Sequence, residues 1–170
     1  MIDRDELLDK LNSGRAELLA SLEGVTEEQA AVKPAAGWSI LECVEHVATV
    51  EESLRRRLVE KSSSTVDEMS RHREALIVAR AADRSRKVSA PEPAHPRGRF
   101  ATLSAAVEFF CRSREQTIAY ISSCPHDLRR LQTQHPLIGT VSGQEMLLMM
   151  IGHPFRHAAQ IRELLPRELR

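Results

Sequence analysis

The sequence predicts an all-α protein: a four-helix bundle with a short accessory helix in the long connection between the second and third bundle helices. Three observations predict this class. Glycine is sparse, with 7 among 170 residues, the β-branched runs are short, and apolar residues recur at spacings of three and four. A chain of this length can bury one core, so residues 1–170 are predicted to form a single domain.

The first two bundle helices are marked by apolar spacing and by a capping box. Leucines at helical spacing predict the first helix over residues 3–22. Ser39 is followed three residues later by Glu42, and this pair can satisfy the free amides of a first helical turn. The second helix is therefore predicted over residues 39–60. Near its end, the arginine run 55–57 is interpreted as a solvated flank or as a patch that pairs with nearby acids.

The long connection after the second helix has two parts. Residues 62–89 begin with a serine-rich run and continue with strong helix formers, which predicts the accessory helix. Residues 89–100, SAPEPAHPRGRF, are rich in proline and are predicted to form an extended loop.

The third and fourth bundle helices follow a similar pattern. Apolar periodicity predicts the third helix over residues 102–123, and a turn-rich connection follows it. Ser142 and Glu145 form a second capping box, so the fourth helix is predicted to begin there and to end near Leu165.

Composition excludes several partners. Lys plus Arg equal Asp plus Glu at 24 each, without the basic excess of nucleic-acid binders, so no nucleic-acid partner is predicted. No window approaches a membrane-spanning length, and the acidic start MIDRDELLDK is unlike a secretory signal, so we expect a cytoplasmic protein without membrane contact. The three cysteines lack CxxC spacing, which favours reduced thiols.

Two histidines lie on the apolar side of the fourth helix. In MIGHPFRHAAQI, residues 150–161, His153 and His157 fall about 40° apart on one helical face. Two buried imidazoles need partners for four ring nitrogens, and a divalent cation bound through one nitrogen of each ring would meet that need. Core histidines bonded to backbone or water are the alternative interpretation.

A third ligand is predicted from the second helix, where His46 lies at the edge of the apolar arc. Three histidines without an obvious fourth ligand are typical of an open metal site. Neutral ligands leave the full charge of the ion in the site, which can lower the pKa of a bound water to about 7 or hold a thiol as thiolate. The predicted cofactor is one divalent ion, with zinc, nickel and iron all suited to imidazole.

Several neighbours are candidates for supporting roles. Gln160 could hydrogen-bond a ligand ring or a bound water. Cys43 is either a soft fourth ligand or a small buried hydrophobe. Glu45 is either a general base near the metal or a solvated side chain. Arg114 lies on the inward stripe of the third helix and pairs either with a carboxylate of the second helix or with an anionic substrate.

Pro154 interrupts the hydrogen-bond ladder between the two histidines. Its missing amide frees the carbonyl of Met150, and the resulting bend is predicted to set the angle of the His153 ring. The other histidines lie in polar, loop-rich contexts and are predicted to be surface residues: His72, His95, His126 and His135.

Two motifs resemble the DinB-like superfamily. GWSILECVEHVA resembles the W-S-x-x-E-x-x-x-H signature that opens the second helix of that family, and GHPFRHAAQI resembles its closing H-x-x-x-H-x-x-Q-I motif. Further similarity in KPAAGW, in the APEP to GRF loop and in HPLIGTVSGQEML extends the resemblance over nearly the whole chain.

The resemblance implies an up-down-down-up four-helix bundle, often a homodimer, with one divalent metal ion on His46, His153 and His157. Pro154 departs from the helix-compatible residue expected between the last two. Some members resemble transferases or isomerases that use low-molecular-weight thiols, and many have no assigned activity. We therefore expect a metalloenzyme that activates a thiol cosubstrate or water toward a small-molecule substrate, with thiol transfer slightly preferred over hydrolysis. A non-catalytic, stress-related metal-binding or interaction bundle is the alternative.

Overall fold

The computed structural model describes residues 3–60, 62–64, 72–85 and 89–165. The helices of these ranges are α1 (Arg4–Ala20), α2 (Glu27–Ala31), α3 (Ile40–Glu60), α4 (His72–Ala81), α5 (Leu103–Ser123) and α6 (Gly143–Leu164). The strands are β1 (Ser63–Ser64), β2 (Leu131–His135) and β3 (Gly139–Ser142). The parts of the domain and accessory-helix predictions that concern residues 1–2, 61, 65–71, 86–88 and 166–170 lie outside the described residues.

Four long helices form the bundle. Helices α1 and α3 each pack against both α5 and α6, and α4 packs along α6. The contacts bury apolar side chains from all four long helices, among them Leu11, Val47, Phe110 and Ile161. The predicted four-helix bundle is confirmed, and α4 lies in the connection between its second and third helices, as predicted.

Both predicted capping boxes are present. The Ser39 amide donates to Glu42 Oε2 at 2.9 Å, and the Glu42 amide donates to Ser39 Oγ at 3.2 Å. The reciprocal pair of Ser142 and Glu145 opens α6 with distances of 2.9 and 3.0 Å. These caps begin the two helices that carry the three clustered histidines.

A small antiparallel sheet replaces part of the connection that the sequence predicts as turns. Strand β2 lies between β1 and β3, and β2 and β3 form a hairpin in which Thr133 pairs with Val141. Leu131, Thr133 and Val141 are buried on one side of this sheet. The alternation of buried and exposed side chains in β2 and β3 spans few residues and includes many polar ones. The sequence therefore does not indicate strands here.

The hairpin attaches to the end of α3. Thr133 Oγ1 donates to the carbonyl of Arg57 at 2.9 Å, and Arg57 Nη1 donates to the carbonyl of Gln134 at 3.3 Å. Within the described ranges, no helix is both long and apolar enough to cross a membrane.

Candidate metal centre

Three histidines from two helices meet inside the bundle. Helix α3 contributes His46, and α6 contributes His153 and His157. The ring centroids are 5.0 Å apart for His46 and His153, 4.7 Å for His46 and His157, and 4.5 Å for His153 and His157. One potential ligand atom from each ring lies within 4.8 Å of the other two. The arrangement brings together the three residues that the sequence singles out.

The proline-rich loop fixes the orientation of the His46 ring. Nδ1 of His46 lies 2.6 Å from the carbonyl oxygen of Ala94. A carbonyl oxygen can only accept, so Nδ1 donates and Nε2 keeps its lone pair. The ring also packs against Trp38, at 4.8 Å between centroids. Nε2 consequently faces Nε2 of His153, at 3.1 Å.

The chemistry of the three ligands, and the spacing of two of them, fit a divalent cation. Two ligands each about 2.0–2.1 Å from one zinc ion lie about 3 Å apart, which matches the separation of the two Nε2 atoms. Among the described residues, Nδ1 of His157 is buried and has no hydrogen-bond partner. A buried imidazole nitrogen without a partner is costly, and coordination of a metal would remove that cost.

Burial keeps the rings neutral. It lowers the pKa of His46 and, together with the closeness of the two other titratable rings, lowers the pKa of His153 well below its ordinary value. The pKa of His157 falls to about 3, chiefly through burial and also because of His46, Arg156 and Arg84. Neutral imidazole is the form that binds metal ions, so the site is ready to coordinate without losing protons.

The other candidate residues take different positions. Gln160 lines the cavity beside the histidines, and its side chain opposes the fall in the pKa of His157. Glu45 is buried rather than solvated, and its carboxylate accepts from the Arg97 amide at 2.6 Å. Glu45 therefore holds the proline-rich loop that also orients His46. Cys43 is fully buried in an apolar cluster, and burial raises the pKa of its thiol to about 12.

Arg114 pairs with a carboxylate of α3, one of the two roles proposed for it. It is completely buried, and its Nε and Nη2 donate to the two Glu51 oxygens at 2.7 and 2.9 Å. Nη1 donates to the carbonyl of Leu11 at 2.7 Å, and Nη2 donates to the carbonyl of Met150 at 2.8 Å. Arg114 therefore satisfies the carbonyl that Pro154 leaves without its usual amide, and α6 runs without interruption from Gly143 to Leu164.

A cavity of about 1010 Å³ opens beside the histidines. It is bounded by α3, α6, the end of α4, the proline-rich loop and the tip of the hairpin. Its walls include apolar residues and three arginines. The lining includes Trp38, His46, Val50, Leu54, Arg57, Arg84, Pro93, Ala94, His135, Leu137, Met149, His153, Arg156, His157 and Gln160. The volume of the cavity and its mainly apolar lining are typical of a site that binds a small molecule.

One histidine of the cavity wall differs from its expected position. His135 was expected at the surface, but it is half-buried in the cavity wall, where burial and Arg57 lower its pKa. His95 and His126 are exposed, as expected, and the side chain of His72 lies outside the described residues. The contact of the Ala94 carbonyl with His46 could not be predicted from the sequence, because every residue of the loop carries a backbone carbonyl.

Comparison with known proteins defines the family. The DinB superfamily matches residues 10–161, and the chain belongs to that superfamily. Among solved structures, the chain is similar to YfiT from Bacillus subtilis, with a TM-score of 0.59 and 18% sequence identity over 95% of this chain and 85% of that chain. YfiT is described as a probable metal-dependent hydrolase with an unusual four-helix bundle topology. A comparison with curated proteins gives no match.

Proposed function

We propose that this protein holds one divalent metal ion on His46, His153 and His157 and acts as a metal-dependent hydrolase on a small molecule in the adjoining cavity. The observation that carries the proposal is the convergence of three neutral imidazoles on the wall of a large cavity. The description of YfiT as a probable metal-dependent hydrolase supports the same reaction class.

The metal ligands, the Ala94 carbonyl and the cavity walls have separate roles in the proposed reaction. When bound, a divalent cation supplies Lewis-acid chemistry, polarising a substrate oxygen and lowering the pKa of water to about 7. The Ala94 carbonyl keeps the His46 proton on Nδ1 and thereby leaves Nε2 for the ion. The apolar walls at Val50, Leu54 and Met149 bind the substrate body and exclude water from it.

A thiol is the alternative nucleophile. The cavity, at about 1010 Å³, has room for a low-molecular-weight thiol beside an electrophilic substrate. A divalent ion with three neutral ligands can stabilise a thiolate as readily as it activates water. Hydrolysis and thiol transfer would therefore use the same three histidines, and only an activity assay separates them.

Metal content is the first test. Protein purified without a polyhistidine tag should contain about one divalent ion per chain by elemental analysis. His46→Ala, His153→Ala and His157→Ala should each lose it, because two remaining imidazoles bind far more weakly than three. His126→Ala changes an exposed histidine and should keep the ion. Retention of the ion by all three site variants would contradict the proposal.

Activity is the second test. Metal-loaded protein should accelerate ester or amide hydrolysis, or the conjugation of a model electrophile with cellular thiols, and His46→Ala should not. If neither reaction depends on the metal, the enzyme proposal fails. A strong rise in melting temperature on metal binding, together with slow metal exchange, would then favour a structural ion in a non-catalytic bundle.

A further inference from the structure

Arg57 differs from its two neighbouring arginines in its partners. It closes the run of three arginines near the end of α3, in which Arg55 pairs with Glu52 at 2.9 Å and Arg56 pairs with Glu60 at 3.4 Å. Among the described residues, no carboxylate lies within ion-pair distance of Arg57. Its Nη1 donates to the Gln134 carbonyl, and within the described part of the chain its buried Nε has no hydrogen-bond partner.

The position of Arg57 indicates where a ligand of its guanidinium would lie. Arg57 lines the same cavity as the three histidines. It follows His46 by eleven residues on the straight run of α3, which places the two Cα atoms about 16 Å apart. Between them, Val50 and Leu54 of α3 and Met149 of α6 line the cavity, together with the small polar side chains of Thr49 and Ser53. The cavity is therefore a largely apolar trough with the histidines toward one end and a cation toward the other.

Among the residues that the structure describes, Arg57 supplies the charge at its end of the cavity. His135 is the neighbouring titratable group of the hairpin, and burial and Arg57 lower its pKa, so its ring stays neutral near pH 7. The other two arginines of the cavity lie near the histidines, since both lower the pKa of His157, and Arg84 is neutralised there by Glu163 at 3.0 Å. A lone guanidinium in a partly apolar wall matches one carboxylate, which can accept two parallel hydrogen bonds.

We propose that Arg57 binds the carboxylate of an elongated, amphipathic substrate whose apolar body lies along the trough and whose reactive group reaches the histidines. The proposal that Arg57 binds a carboxylate rests on the positions of the described residues and needs no metal ion. The identification of that ligand as the substrate rests on the proposed metal-dependent function.

Binding to metal-free protein tests the carboxylate site independently of the metal. Trp38 is the single tryptophan and lines the cavity, so its fluorescence reports occupancy. In chelator-treated protein, decanoate should bind more tightly than decan-1-ol. Arg57→Gln should raise the Kd of decanoate about tenfold or more, as expected for a charge-assisted hydrogen bond. The Kd of decan-1-ol should stay unchanged.

Arg56→Gln is the matched control, because it removes an equal charge from the preceding, exposed position. It should leave the Kd of decanoate unchanged. Equal decanoate binding by wild type and Arg57→Gln would overturn the proposal, as would an equal loss of decan-1-ol or the absence of decanoate binding. Decyl phosphate that binds tenfold more tightly than decanoate would contradict a site for one carboxylate. Because no metal is present, failure here leaves the metal tests untouched, and failure of those tests leaves this result standing.

Discussion

Three buried imidazoles make folding sensitive to acid when no metal is bound. The pKa of His157 is about 3 in the folded protein and about 6.5 in its ordinary state. Below pH 6.5, His157 therefore binds a proton in the unfolded chain but not in the folded chain. The free energy of unfolding consequently falls as the pH falls toward the pKa of the folded state. For His157 alone, we expect a loss of about 2 kcal/mol between pH 7 and pH 5.

Urea unfolding of chelator-treated protein at several pH values measures this loss. His157→Gln cannot take up the proton, so its free energy of unfolding should fall by about 2 kcal/mol less than that of wild type over the same interval. His126→Gln, at an exposed histidine, should keep the wild-type slope. Parallel curves for wild type and His157→Gln would show that the pKa of His157 in the folded protein is close to its ordinary value.

The residues of the histidine cluster were predictable to different degrees. His153 and His157 could be paired from helical spacing and apolar flanks, because both lie on one element. His46 required a partner helix, which its own capping box and apolar arc identified. Two features could not be read from sequence: the Ala94 carbonyl as a partner of His46, and the lack of an acidic partner for Arg57 among the described residues. The first depends on a contact between residues 48 positions apart, and the second depends on which of three adjacent arginines finds an acid.

The packing of α4 against α6 depends on Gly152. A Cβ at this position would lie 2.4 Å from the Cβ of Ala81 and about 3 Å from the backbone of residues 81 and 82. Gly-to-Ala changes inside helices ordinarily stabilise by about 0.5–1 kcal/mol. Gly152→Ala should instead destabilise the protein, because α4 must move away from α6. Amide exchange in residues 72–81 should quicken in this variant.

A second substitution tests the steric cause. Ala81→Gly removes the closest of the atoms that would clash with the new Cβ, whereas the backbone atoms at about 3 Å remain. The double variant Gly152→Ala with Ala81→Gly should recover part of the lost protection in α4. No recovery would mean that the contact between α4 and α6 does not limit stability at this point.

Element boundaries show what local sequence determines. Both capping boxes placed helix starts correctly, because each box is complete within four residues. The hairpin β2–β3 was missed, since its strands are stabilised by pairing with each other and by the attachment of Thr133 and Gln134 to Arg57. Contacts of that kind join distant parts of the chain and leave little periodicity in either strand.

One guanidinium connects the four long helices. Arg114 of α5 binds Glu51 of α3, the Leu11 carbonyl of α1 and the Met150 carbonyl of α6. Burial raises the pKa of the Glu51 carboxyl, and the Arg114 guanidinium opposes that rise. A carboxylate left there without its arginine would be a buried, uncompensated charge, and two carbonyls would lose their donor as well.

Arg114→Met should therefore lower the free energy of unfolding by about 3–5 kcal/mol. Adding Glu51→Leu should recover part of this loss, because the double variant removes the stranded charge while keeping the volume filled with apolar atoms. The recovery should be incomplete, since the Leu11 and Met150 carbonyls remain without the donor that Arg114 supplied. Arg112→Met, two residues earlier on α5, removes an exposed arginine that pairs with Glu108 and should change stability by less than about 1 kcal/mol. Urea unfolding of the four proteins gives these differences directly. An Arg114→Met protein as stable as Arg112→Met would show that the bundle does not depend on this connection.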